Sequence, residues 1–237
     1  ANTALLPGDL ADEAFERDLV FISGLSNESA DCFPHVIGKA SAAGARIATN
    51  PGIRQLSSRT DEFFACLDRI SILTLNRVES EQLVPRLIAN GTADQRTVIR
   101  PAGDPNSLVD RGLVAGGFNL PFDSYVRAVT SLGVDMLLVT NGSDGAYVGT
   151  ADAIWHCTVP SVEVAGTAGA GDAFASTFAG MITAGADIEQ ALKSATCNAG
   201  SVVSHLDTQT GLLTRDGVAE RVKKFEDRLV VSKWDMG

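Results

Sequence analysis

The residues with most to offer chemically stand together at Gly166-Thr167-Ala168-Gly169-Ala170-Gly171-Asp172, immediately before an apolar helical stretch. Glycines let a backbone approach a ligand closely. The bare N–H groups of a helix start, at the positive end of its dipole, favour an anion. The pattern reads as a phosphate seat. Asp172 falls in the first turn, where a carboxylate can take the proton from an attacking hydroxyl while adjacent amides stabilise charge on a transferred phosphoryl group. A plainer account competes with this one: the glycines make a tight turn and Asp172 only complements the dipole. For a lone G-x-G that account is the better one.

Two further patterns add to it. Asn76 and Glu79 follow the apolar run ILTLN, and a spacing of three puts both on one side of a helical turn. They could face one ligand, with Glu79 ordering a water of hydrated magnesium, which keeps several waters and takes one or two carboxylates plus phosphates. They could equally form a capping box that needs no ligand. Thr140-Asn141-Gly142-Ser143-Asp144-Gly145 sits where a strand should end, the place at which open α/β sheets hold ligands, although an ordinary glycine-rich turn has the same composition. Three modest signals at strand ends or helix starts are harder to dismiss together.

The elements that must position these residues follow from periodicity. Asp18–Leu25 is a short apolar run with β-branched and aromatic residues, followed by an alanine-rich helical stretch to Gly44. The unit repeats: a strand at 46–50, a helix near 60–67, a strand at 72–76, a helix toward Ile88, a helix over 121–132 and a strand over 134–140. Such near-continuous apolar strands belong to a parallel sheet covered on both faces. The expected fold class is therefore α/β, doubly wound. Residues 146–149 and 153–159 read as an antiparallel hairpin. Two helices then close the core, one with Phe174, Phe178 and Ile182 on a face, the other with Ile188, Ala191, Leu192, Ala195 and Ala199; a charged helix spans 215–229. The segment 92–117, rich in Gly, Pro and Asp, carries weak periodicity and reads as a long surface loop or an insertion.

Composition sets the outer bounds. The chain has 237 residues, 45% apolar and 20% charged, enough for a substantial core, and one domain over 1–237 is expected. A formal charge of −10 without a long basic run argues against a nucleic-acid partner. No run of about 20 apolar residues suggests a membrane helix, and the first residues, with Asp9, Asp12 and Glu13, do not read as a signal peptide. Cys32, Cys66, Cys157 and Cys197 lack any C-x-x-C pair and sit in apolar surroundings, which fits a reducing cytoplasm. His35, His156 and His205 are too scattered for a local metal motif and read as structural.

ILTLNRVESEQL, VTNGSDGAYV and GTAGAGDAF, in this order and followed by TCNAG, resemble the ribokinase-like (PfkB) family of carbohydrate and nucleoside kinases. ANTALLPGDL and the NPG at 50–52 resemble family segments as well. The resemblance implies an ATP-dependent kinase, with magnesium, that phosphorylates a hydroxyl on a sugar or nucleoside. Asp172 is then the catalytic base and Gly169, Ala170 and Gly171 the anion hole. Asn76 and Glu79 organise the triphosphate and its magnesium, and Thr140, Gly142, Ser143 and Gly145 line the nucleotide. Asn198, in TCNAG, matches a family position near the adenine, although by its own chemistry it could be a helix residue bonding locally. Arg54, just after the NPG turn, reads as solvated.

Two departures stand out. The family signature usually opens with an aspartate that helps bind a monovalent cation, and Gly166 occupies that place, which puts potassium activation in doubt. The matching segments also begin well inside a family member, so this sequence corresponds to the C-terminal two-thirds of such a fold, without the N-terminal strand, the sugar-gripping residues and the small β-lid. The resemblance leaves a homodimer open. A competing class is a family member that binds a nucleotide or sugar without turning it over. A dinucleotide-binding oxidoreductase is weaker, because GTAGAGD lacks the G-x-G-x-x-G spacing and occurs late in the chain.

Overall fold

The computed structural model describes residues 4–93 and 107–236. From the first strand to the last, the elements are β1 (Leu19–Ile22), α1 (Phe33–Ala42), β2 (Arg46–Thr49), α2 (Gly52–Ser57), α3 (Thr60–Phe64), β3 (Ile72–Asn76), α4 (Arg77–Ala89), α5 (Leu108–Arg111), β4 (Leu113–Ala115), β5 (Phe118–Leu120), α6 (Phe122–Thr130), β6 (Met136–Thr140), β7 (Ala146–Gly149), β8 (Ala153–Cys157), α7 (Ala170–Thr183), α8 (Ile188–Val202), α9 (Arg215–Lys224) and β9 (Val231–Asp235). Seven strands form one sheet in the order β1-β2-β3-β6-β7-β8-β9. β1, β2, β3 and β6 run parallel, and β7, β8 and β9 continue the sheet antiparallel.

The period of two along each strand assigns its side chains to two faces. Ile22, Ile47, Leu73, Leu75, Leu137, Val139 and Tyr147 enter one cluster, together with the apolar stripes of α1, α4 and α6. Ala48, Ile72, Leu138, Ala146, Val148 and Cys157 enter the other, covered by α7 and α8. Helices therefore lie on both faces of a mixed sheet, as the strand runs predict. Phe174 and Phe178 are buried and Ile182 packs at the margin, while Ala191, Leu192 and Ala195 of α8 are fully covered. Ala175, Ala179, Ala191 and Ala195 are small enough to let the two helices approach closely.

Several boundaries differ from the sequence expectation. The helix expected over 60–67 is α3, shorter at Thr60–Phe64, and α2 precedes it unanticipated. The C-terminal helix stops at Lys224; a short 3-10 turn at Glu226–Arg228 follows, then β9, which pairs with β8. That strand, Val-Ser-Lys-Trp-Asp, lies at the sheet edge with exposed residues, so its burial pattern carries no period to read. Within 92–117, residues 94–106 lie outside the described residues. Those after it form α5 and the β4–β5 hairpin, with Leu108, Leu113 and Leu120 fully buried.

α5 is tied to the sheet by one buried bond: the Leu108 N–H donates to the Tyr147 hydroxyl at 3.1 Å. Tyr147→Phe leaves that buried donor without its partner and is expected to lower stability by about 1–3 kcal/mol in denaturant unfolding. A loss below about 0.5 kcal/mol would mean that water reaches the Leu108 amide.

Candidate functional site

Parallel strands point their C-terminal ends the same way, so the segments leaving β1, β2, β3 and β6 emerge along one sheet edge. Asn76 and Thr140, the last residues of β3 and β6, are direct register partners. α7 packs against β1, β2 and β3 and brings its N-terminus to the same edge.

The start of α7 has no side-chain cap. Its N-cap is Gly169, at φ 77°, in the left-handed region; a Cβ there would lie 2.9 Å from that of Thr208. The amides of Gly171 and Asp172 lie in the first turn, where no intrahelical acceptor exists, and they face the dipole's positive end outward. Asp172 is exposed, and its Oδ1 accepts a 2.7 Å hydrogen bond from the Ser23 hydroxyl at the end of β1.

Asn76 and Glu79 do form the capping box. The Asn76 side chain accepts from the Glu79 amide at 2.9 Å, and Glu79 Oε2 accepts from the Asn76 amide at 2.8 Å. The structural reading of this pair holds, and it does not exhaust the pair's chemistry. Burial pushes the Glu79 carboxyl above the usual carboxylate range; the Asn76 amide pulls it back in part, and the negative charge of Asp172 pushes it up again. The carboxylates of Glu79 and Asp172 are thus near enough to repel each other, and neither lines the cavity described below.

The turn after β6 is pinned from below. Gly145, at φ 105°, admits no side chain, since a Cβ would lie 2.2 Å from the Cys157 carbonyl oxygen. Asn141 Nδ2 donates to Asp144 Oδ2 at 3.0 Å, and His156 Nε2 lies 2.7 Å from the Asp144 carbonyl while its ring stacks on Tyr147. His156 is structural, as expected. Burial pushes the Cys157 and Cys197 thiols up to about 11, which keeps them protonated and inert at neutral pH.

Between this turn and the start of α7 lies a cavity of about 500 Å³. Thr140, Gly142, Ser143 and Gly145 line one side, and Ala170 and Gly171 the other. Val159, Val162, Phe174 and Val203 supply apolar walls. Asn198 does not line it. Its Nδ2 donates to Thr177 Oγ1 at 2.8 Å and its Oδ1 accepts the Leu213 amide at 3.0 Å, so it stitches α8 to α7 and to the chain before α9. Sequence reasoning missed the 159–164 wall, Thr196 and Ser23. Only Ser23 carried a legible signal, a polar residue directly after a predicted parallel strand.

Residues 123–215 match the pfkB family carbohydrate kinases. The chain has the ribokinase-like fold and carries the PfkB pattern. It is 34% identical over 91 residues to the 5-dehydro-2-deoxygluconokinase of Bacillus velezensis, which covers 38% of this chain and 27% of that protein. It is 33% identical over 97 residues to the deoxyribokinase of Salmonella typhimurium, covering 38% and 32%. The structure of Arabidopsis thaliana ribokinase complexed with ribose and ATP superposes with a TM-score of 0.62 at 20% identity, over 93% of this chain and 60% of that one. The chain thus spans about 60% of the length of that ribokinase-like structure. Among the described residues, no helix is long and apolar enough to cross a membrane.

Glu79 yields a direct test. Its folded pKa lies above the unfolded value, so the wild-type chain loses stability as pH rises from the unfolded glutamate pKa, about 4.3, through the folded one. Glu79→Gln keeps an acceptor for the Asn76 amide and removes the buried charge. The variant should be more stable than wild type at pH 7, with the difference vanishing below about pH 4. Denaturation midpoints across that range check it, and a less stable variant at pH 7 would show that the capping carboxylate outweighs its burial.

Proposed function

We propose that this chain carries the nucleotide and phosphoryl-transfer site of an ATP-dependent kinase acting on a hydroxyl group of a sugar, nucleoside or related small molecule. One observation carries the reading. The glycine turn after β6 and the uncapped start of α7 face each other across one cavity, and Asp172 directly follows Gly171 of its lining without lining it itself. A volume of about 500 Å³ falls within the roughly 300–1,000 Å³ typical of small-molecule clefts. The PfkB pattern over 123–215 includes both sides of the cavity. The Arabidopsis ribokinase structure is complexed with ribose and ATP, which supports this choice of donor.

The chain's own residues then divide the work. Apolar walls at Val159, Val162 and Val203 cover the nucleoside end, and Thr140, Gly142, Ser143 and Gly145 line the path toward the phosphates. The amides of Gly169, Ala170 and Gly171 meet the phosphoryl oxygens, where their dipoles stabilise the charge of the transition state. Asp172 accepts the acceptor hydroxyl's proton as the new O–P bond forms and the bond to the departing diphosphate breaks. The Ser23 hydroxyl, which donates to Asp172 from the β1 side, supports this role by occupying the place a substrate hydroxyl would take.

Magnesium fits the donor set. Asn76 and Glu79 would hold it, Glu79 through water, beside Asp172. Among the described residues no three His, Cys, Asp or Glu side chains converge on a metal, so water and phosphate oxygens would supply the other ligands. When bound, the ion offsets phosphate charge. A monovalent cation is left out of the proposal, because Gly166 offers no carboxylate.

Asp172→Asn removes the base and spares the helix amides. It should lower turnover by about 10²–10⁴-fold and change nucleotide affinity little. ADP release across a panel of sugars and nucleosides, with and without magnesium, checks this alongside nucleotide titration. Unchanged turnover would remove Asp172 from the chemistry. Nucleotide binding with no turnover on any acceptor would favour the binding-only reading.

A further inference from the structure

The lining of the cavity carries information beyond its shape. Among the described residues that line it there is no Asp, Glu, Lys, Arg, His, Asn or Gln. The polar side chains present are the hydroxyls of Thr140, Ser143, Ser161, Thr167 and Thr196. Thr196 is 3% exposed, and its hydroxyl lies beside the Cys157 thiol, whose pKa it pulls back in part.

The groups that could have read a base edge are already committed. Both ends of the Asn198 amide are bonded, to Thr177 and to Leu213. Asn141 spends its Nδ2 on Asp144, and His156 spends Nε2 on the Asp144 carbonyl. These bonds tie Asn198, Asn141 Nδ2 and His156 Nε2 to the protein itself.

Adenine and guanine differ in polarity at the same edge: adenine presents an amino donor where guanine presents a carbonyl acceptor. A fixed amide or charged group favours one pattern and leaves an unpaired buried group against the other, which is how sites reach discrimination of about 10⁴-fold or more. A hydroxyl turns to donate or to accept. Along 159–164, Ser161, Glu163 and Val164 are exposed, Val164 at 61%, and Pro160 offers no main-chain N–H. Apolar walls contribute stacking and contact area, which purines share.

We infer that this cavity holds the purine base by shape and apolar contact, and accepts adenine and guanine nucleotides with similar affinity. The inference rests on the nucleotide-site reading above and extends it to donor selectivity. ATP and GTP should bind within about tenfold of each other, the range an apolar pocket allows. Inorganic triphosphate, lacking the base, should bind at least about tenfold more weakly than either.

The test is competitive displacement of a fluorescent ADP analogue from the 237-residue chain by ATP, GTP and inorganic triphosphate, with magnesium present. It reads binding alone, so it is independent of acceptor identity and turnover. Comparable displacement by ATP and GTP, well ahead of triphosphate, supports the inference. A preference above about 100-fold for either purine overturns it while leaving the nucleotide site intact, since some fixed group must then read the base. Failure of any nucleotide to displace or bind overturns the underlying site assignment instead. Thr196→Val supplies the second measurement: the ATP to GTP ratio should move by less than about threefold, because a rotating hydroxyl favours neither base. Selective loss of one nucleotide in that variant would make Thr196 the reader and overturn the inference.

Discussion

Uncapped amides at the start of α7 are the feature around which the rest of the site is arranged. A helix start normally recruits a Ser, Thr, Asp or Asn to satisfy its orphan N–H groups, as Asp187 does for α8 and Thr214 for α9. α7 has a glycine there instead, held in the left-handed region, and that choice leaves the amides open to an external anion. The parallel topology supplies the other half. Strands β1, β2, β3 and β6 end along one edge, so Ser23, Asn76 and Thr140 arrive beside those amides without any long loop having to carry them.

The residues of this edge were legible to the extent that their chemistry is local. Gly169 to Asp172, the 140–145 turn and the Asn76/Glu79 pair are short patterns, and each lies where periodicity put a strand end or a helix start. Thr140, Gly142, Ser143 and Gly145 share a cavity with Ala170 and Gly171, which spacing along the chain could not show. Asn198 is the residue for which spacing left two roles open, one of them bonding within the protein. Within α8 an asparagine looks available, and only the folded chain shows the Thr177 hydroxyl and the Leu213 amide consuming both its ends. β9 escaped notice because an exposed edge strand buries too little to impose alternation, and the 159–164 wall because a cavity lining built from a loop has no period at all.

The capping box at the start of α4 shows why a structural account and a functional one need not exclude each other. The same carboxylate that satisfies the Asn76 amide is half-buried and stands near Asp172, so its charge costs folding free energy at neutral pH. A residue chosen only to cap a helix could lie at the surface, where the charge costs nothing. Two mutually repelling carboxylates near the start of α7 would, on the kinase reading proposed above, be offset by a cation that arrives with the ligand.

Charge is distributed unevenly along the site, and this bears on how the ends of a nucleotide would be told apart. The chain as a whole carries a formal −10, and no basic side chain among the described residues lines the cavity. On the proposed nucleotide reading, attraction for phosphate would come from the helix amides at the start of α7 and from magnesium. The walls at Val159, Val162, Val164 and Val203 are apolar and neutral. On that reading such a division would orient a nucleotide by polarity, phosphate toward α7 and base toward Val159 and Val203, with no specific recognition of the base needed.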